Sequence, residues 1–309
     1  MNFKKAGENT DQLARSLIQK AIRRNQPDIA DATFHYLAKE TTELRWLRNR
    51  LAVWTFEEAW PYGRKVSFGT DDTKNRHHIR ELCSVIKNKD AAGLGSLAYA
   101  LSEGDQSVLN GGEDDWFIGE VARSLEGKQY LDYRERRKKE SETKTQDQKD
   151  LVDGAISGSM KAGWPWDKAF AYAAGLLAIH DQVPNLNKIR AESDEPFPFW
   201  IAIDKHTQPG KETIRRVAKE MSIPANTALW LSFYFESAVC SELSDSPWWE
   251  REKAWRMSKL GIGLEDAFIT WDKMRPIVKD YLTRDAEELR ERVMASPRVS
   301  CEASQLNLF

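Results

Sequence analysis

The chain has 309 residues, 41% of them apolar and 30% charged, with a formal net charge of −2. That composition excludes a disordered chain, and near-neutrality gives no global attraction to nucleic acid, so any contact with DNA needs a local patch. No apolar run approaches the roughly 20 residues of a membrane span and the first residues carry no signal-peptide core, so a cytoplasmic protein without membrane contact is expected.

Apolar residues recur at helical spacing almost throughout, and alternating apolar and polar runs are scarce, which predicts an all-α, multi-helix bundle. Residues 11–24 carry Leu13, Leu17, Ile18, Ala21 and Ile22 on one face. Asn25-Gln26-Pro27-Asp28 then stops this helix and caps a second one that buries Ile29, Ala32, Thr33, Tyr36 and Leu37. A third helix over about 42–60 holds Leu44, Leu47, Leu51, Trp54 and Phe56 and ends at Pro61. Further helices are expected over 73–88, 90–102 and 112–125.

The stretch 134–150 has almost no core residue and reads as a solvated helix or linker between an N-terminal helical domain, 1–133, and a C-terminal one, 151–295. In the second half the periodicity gives helices over about 151–162, 165–180, 211–221, 224–242, 248–260, 263–281 and 285–295. Pro196–Trp200 and His206–Gly210 punctuate them as loops. Residues 296–309 follow as a flexible tail of small and polar residues behind Pro297.

Few residues carry chemistry. Asp204-Lys205-His206-Thr207 sets a carboxylate, an amine, an imidazole and a hydroxyl side by side, suited to acid–base work, but equally reads as a turn into the helix near Lys211. His77 and His78 diverge by roughly 100 degrees on a helix and cannot share one metal. Cys83, Cys240 and Cys301 are widely spaced and odd in number. No disulfide framework, metal or cofactor is therefore expected, and no catalytic residue is assigned. Among the twelve tryptophans, Trp46, Trp54, Trp230, Trp255 and Trp271 fall at core spacing, while Trp164, Trp166, Trp248 and Trp249 sit at helix starts, as staples or as stacking surfaces for bases. Residues 1–80 hold 15 Lys and Arg against 10 Asp and Glu. Arg15, Arg23, Arg45, Arg48, Arg50, Arg64 and Lys65 are the candidate DNA-contacting face, with an ordinary solvated face as the alternative; contacts there would be to the phosphate backbone and steeply salt-dependent.

The final residues, Gln305-Leu306-Asn307-Leu308-Phe309, place three apolar anchors behind one polar orienter, the division of labour found in docking peptides. They resemble the bacterial sliding-clamp-binding motif, a Gln-Leu-x-Leu-Phe pentapeptide, at all four specified positions. The resemblance implies that Leu306, Leu308 and Phe309 fill pockets on the clamp and that Gln305 sets the register; the alternative is that they fold back onto the body. Residues 17–32, followed by Tyr36-Leu37-Ala38 and by 47–59, resemble the helical collar region of clamp-loader-type AAA+ ATPases of the replication–recombination group, over about 12–63. The phosphate loop that such a motor needs is missing, since Gly210-Lys211 runs into Glu212 and Gly127-Lys128 into Gln129. Together these likenesses imply a non-enzymatic accessory protein of DNA replication or repair that binds the sliding clamp while its body binds DNA, a clamp loader or another replisome component. The alternatives are a phage-type inhibitor competing for the clamp groove and an enzyme using Asp204 and His206 on a nucleic-acid or small-molecule substrate.

Overall fold

The computed structural model describes residues 11–39, 41–62, 69–126, 130–186 and 196–295. Among them the chain forms thirteen α-helices and no strand, so the all-α expectation holds; two isolated parallel bridges, Ala59 with Asn88 and Lys87 with Leu243, are the extended pairings. Helix α1 (Gln12–Arg23) starts where the Asp11 carboxylate accepts from the Ala14 amide at 3.0 Å, and ends at Asn25, whose φ of 52° leaves the helical region. Helix α2 (Pro27–Leu37) opens on its proline rather than on a capping side chain: Gln26 makes no cap bond, and Asp28 lies inside the first turn, where its charge complements the helix dipole.

Helix α3 (Thr41–Glu58) runs to the cis Trp60–Pro61 bond. Helix α4 (Asp72–Ser84) is shorter than the periodicity predicts because Lys87 folds back. Its ammonium donates to the carbonyls of Leu82, Cys83 and Val85 at 2.7, 2.9 and 2.6 Å, closing the last turn with a cation and leaving 85–88 extended. Helices α5 (Asp90–Ser102) and α6 (Asp115–Leu125) follow.

The charged stretch beyond residue 133 is helical. Helix α7 (Tyr130–Ser141) buries Tyr133 and Arg137, the tyrosine hydroxyl donating to the Tyr172 carbonyl at 3.2 Å. Helix α8 (Gln146–Lys161) begins five residues earlier than its apolar face implies, on a reciprocal cap between Thr145 and Gln148. Helix α9 (Pro165–Ile179) is lined with Ala169, Ala171, Ala173, Ala174 and Ala178, all buried, and lies closely against α5 and α8.

After a short 3₁₀ turn, Phe199–Ala202, come α10 (Gln208–Glu220), α11 (Ala225–Ser232), α12 (Pro247–Lys259) and α13 (Leu264–Met294). The helix expected to reach residue 242 gives way at Phe233–Ser237 to a single π-helical turn. The two helices expected over 263–281 and 285–295 are one, because Leu282, Ala286, Leu289 and Val293 extend the buried stripe of Ala267, Trp271, Met274 and Val278 without a break.

Two apolar clusters hold the helices. One gathers Leu17 and Ile18 of α1, Phe34 of α2, Ile79 of α4, Val217 of α10 and Trp271 of α13; the other gathers Leu94 and Leu97 of α5, Val121 of α6, Val152 of α8 and the alanine face of α9. Helix α3 contributes to both, through Leu47 and Trp54 to the first and Val53 and Phe56 to the second. Helix α12 sits so near α5 that a Cβ on Gly93 would run into the Trp248 backbone. No helix among the described residues is long and apolar enough to cross a membrane.

Candidate functional site

Where the two clusters meet there is a cavity of about 770 Å³, within the usual range for small-ligand sites. Its walls come from α1, α3, the start of α5, the turn from α8 into α9, residues 205–207, α11 with its π turn, and α12. A buried ionic network forms one wall. Arg23 of α1 donates from Nε to Glu58 Oε1 at 2.6 Å, from Nη2 to Glu57 Oε1 at 2.9 Å and from Nη1 to the Ser237 carbonyl at 2.6 Å. Arg50 pairs with the other Glu57 oxygen at 3.0 Å and with Asp167 at 2.8 Å, and Lys89 reaches Glu58 Oε2 at 3.2 Å. Burial alone would raise the Glu58 carboxyl, but Arg23 and Lys89 outweigh it and hold it at about 2. Glu57 goes the other way, raised by burial and by the Glu58 charge beside it.

A second wall is the Asp204–Thr207 turn. Asp204 Oδ2 accepts from Lys20 Nζ at 2.5 Å and stands 3.0 Å from His206 Nδ1, while Oδ1 accepts the His206 amide at 2.9 Å. Lys20 also donates to Ser16 Oγ at 2.8 Å. Burial would raise the Asp204 carboxyl, yet Lys20 and His206 keep it well below the carboxylate range. An ionised Asp204 needs the Nδ1 proton for this contact, so a neutral His206 carries its lone pair on Nε2, the tautomer a general base requires. The turn is also a cap: Thr207 Oγ1 donates to the Asp204 carbonyl at 2.9 Å and accepts the Gly210 amide at 3.3 Å at the start of α10. A Cβ on Gly210 would collide with the Asp204 backbone, so only glycine lets α10 begin this close.

Lys205 completes the wall differently. Its Nζ lies 3.3 Å from the Trp230 ring centroid and 4.5 Å from that of Phe233, and among the described residues it forms no ion pair and no hydrogen bond. Burial pulls its ammonium down to about 7, against the attraction of Asp204. Trp230 carries a second cation, Arg256, at 4.2 Å. The π turn, a geometry recurrent at functional sites, brings Phe233 and Tyr234 onto the same wall. There Tyr234 donates its hydroxyl to Glu252 at 2.5 and 2.6 Å, and burial raises both groups.

Of the basic residues singled out in the sequence, Arg15, Arg23 and Arg50 line this cavity. Arg15 pairs with Glu43 at 2.7 Å and lies 4.6 Å over Trp46, and Arg23 is buried rather than on an outer face. Arg45 is exposed and Arg48 pairs with Asp72 at 3.2 Å, both away from the cavity. Arg64, Lys65 and Gln305–Phe309 lie outside the described residues. Trp54, Trp271, Trp248 and Trp249 are buried, whereas Trp46, Trp230 and Trp255 are only partly so; Trp166 rests against Tyr99 at 4.8 Å, and Trp164 is 73% exposed. His77 and His78 both turn to Glu81, and His180 is exposed against Trp116 and Phe117. Among the described residues no group of three or more His, Cys, Asp or Glu side chains has the geometry of a metal site.

Lys20, Glu57, Glu58, Lys89, Lys161 and Glu252 belong to the site without having been singled out in the sequence. Glu57-Glu58 leave a signal, because two carboxylates following the bulky stretch Val53-Trp54-Thr55-Phe56 need cations if they are buried with it. The chain matches no protein-family model, no curated protein and no solved structure.

Proposed function

We propose that this chain is a non-enzymatic accessory protein of DNA replication or repair, held on the bacterial sliding clamp by Gln305–Phe309 and engaging DNA or another replication component with its helical body. The observation that carries the reading is the pentapeptide itself, which satisfies every specified position of the clamp-binding pattern and follows α13 in sequence after the small and polar stretch 296–304. Support for the second contact comes from the cavity, whose lining sets lysines and arginines among indole rings, the side chains that track phosphates and stack on bases. Two modest contacts on one assembly reinforce each other through effective concentration. A fluorescent peptide of residues 300–309, or the intact protein, should bind purified clamp, and removal of Leu308 and Phe309 should abolish that binding; equal binding by the shortened protein would defeat the reading.

One observation favours a second reading, an enzyme. Asp204 orients His206 at 3.0 Å beside the cavity, with Nε2 left as a base. Under that reading His206→Ala removes turnover of the substrate, and undiminished turnover by that variant ends it.

A further inference from the structure

The lining is not electrically balanced. Seven Lys and Arg side chains face the cavity against three carboxylates, those of Glu57, Asp167 and Glu252. The other acids of the network, Glu43, Glu58 and Asp204, pair with Arg15, Arg23, Lys89 and Lys20 but do not themselves line the cavity. The void therefore sees cations first. Lys205 is the extreme case, an ammonium at the wall held by rings alone. Trp164 is one of the exposed residues of the lining: its indole presents 73% of its surface to solvent, and Lys161 lines the cavity with it.

We propose that this cavity binds a phosphorylated nucleoside, its base stacked on the exposed Trp164 and its phosphate inside on Lys205, supplied either as a free nucleotide or as the terminal residue of a single strand. An incoming phosphate gives Lys205 the bonded acceptor that no described residue supplies, and the flat base covers an indole that the fold leaves open. Lys20 and Lys89 strengthen the attraction from the same lining, each paired with a carboxylate, Asp204 and Glu58, that does not line the cavity. The inference rests on the reading of the body as DNA-binding and narrows it to one site and one ligand class.

The test titrates the full-length protein, by tryptophan fluorescence and calorimetry, with a 5′-phosphorylated decathymidylate, the same strand ending in a hydroxyl, a circular single strand and thymidine monophosphate. The phosphorylated strand and the nucleotide should compete with each other, and the hydroxyl strand should bind roughly tenfold more weakly. Lys205→Gln and Trp164→Ala should each cost about tenfold, with unfolding midpoints at least as high as that of the parent. A nucleotide that binds while the strand does not identifies a free nucleotide as the source; a strand that binds far more tightly identifies the strand end. Failure of both ligands to bind, unchanged binding in both variants, or equal displacement by polyglutamate would overturn the site. Circular DNA bound equally by parent and variants would overturn it too, yet leave the DNA-binding reading of the body standing.

Discussion

The two sides of the cavity treat buried charge in opposite ways. Around Arg23 every cation has a carboxylate at bonding distance, whereas Lys205 has only the Trp230 and Phe233 rings. A closed network of this kind fixes α1, α3 and α5 relative to one another, because removing one member strands the others in a dry interior. An ammonium held by rings leaves the fold little to lose and a ligand something to gain.

The sharpest way to break this contrast is Glu58→Ala, which deprives Arg23 and Lys89 together; a loss of about 3–5 kcal/mol is expected from urea unfolding. The Glu58 folded pKa lies below its ordinary value, so its stabilisation is full above about pH 4.5 and is lost as pH falls toward 2. Glu58→Gln should flatten stability across that window. Next in size, Gly210→Ala should cost about 1–3 kcal/mol by pressing on the Asp204 turn, and it should weaken ligand binding at Lys205 as well.

Asp90 offers a separate reading of buried charge, since its carboxylate caps the start of α12 through the Trp248 amide at 3.0 Å while burial raises it to about 6. Its contribution is full below about pH 3.8 and lost as pH rises through 6, so Asp90→Asn should gain about 2 kcal/mol at pH 7 and almost nothing at pH 3.5. Smallest is Lys205→Met, a gain like that of Asp90→Asn but with the opposite pH dependence. A depressed lysine destabilises the fold at and below pH 7, and the penalty fades as pH rises toward 10.5, where the unfolded chain also gives up its proton. Lys20 of α1, Glu252 and Arg256 of α12 and the adjacent Asp204 and His206 set the charge it feels. The variant should raise stability by about 1–2 kcal/mol near pH 6, read as a higher unfolding midpoint. A loss comparable to that of Glu58→Ala would erase the distinction between the two sides.

Helix positions were largely legible in the sequence because each amphipathic face repeats its own period, as Leu17, Ile18, Ala21 and Ile22 do on α1. Boundaries fared worse where the deciding group lay off the face being read. The Thr145–Gln148 cap starts α8 upstream of its first apolar residue, and Lys87 ends α4 from beyond the helix. The break expected near residue 282 failed because Leu282 and Ala286 keep the stripe of α13 in phase.

For the site, the tetrad 204–207 was visible as chemistry, but its partners were not. Lys20 is 184 positions from Asp204, and local periodicity carries no information about which helix will supply a counter-ion. Arg15, Arg23 and Arg50 form a basic set in the sequence; that Arg23 of α1 would turn inward to Glu57 depended on the tertiary fold, whereas Arg50 reaches the same carboxylate from two turns earlier on α3 itself.

Lys87 and its neighbour also constrain how the chain comes together. The Lys87 amide donates to the Glu242 carbonyl at 3.2 Å and its own carbonyl accepts the Ser244 amide at 2.8 Å, while the Asn88 amide donates to the Glu58 carbonyl at 3.0 Å and its side chain to Ser244 and Asp245. Three stretches far apart in sequence are thus knotted at two residues. A nascent chain halted before residue 242 would lack one side of that crossing, so α3 and α4 should gain their full protection from hydrogen exchange only after residues 242–245 have left the ribosome.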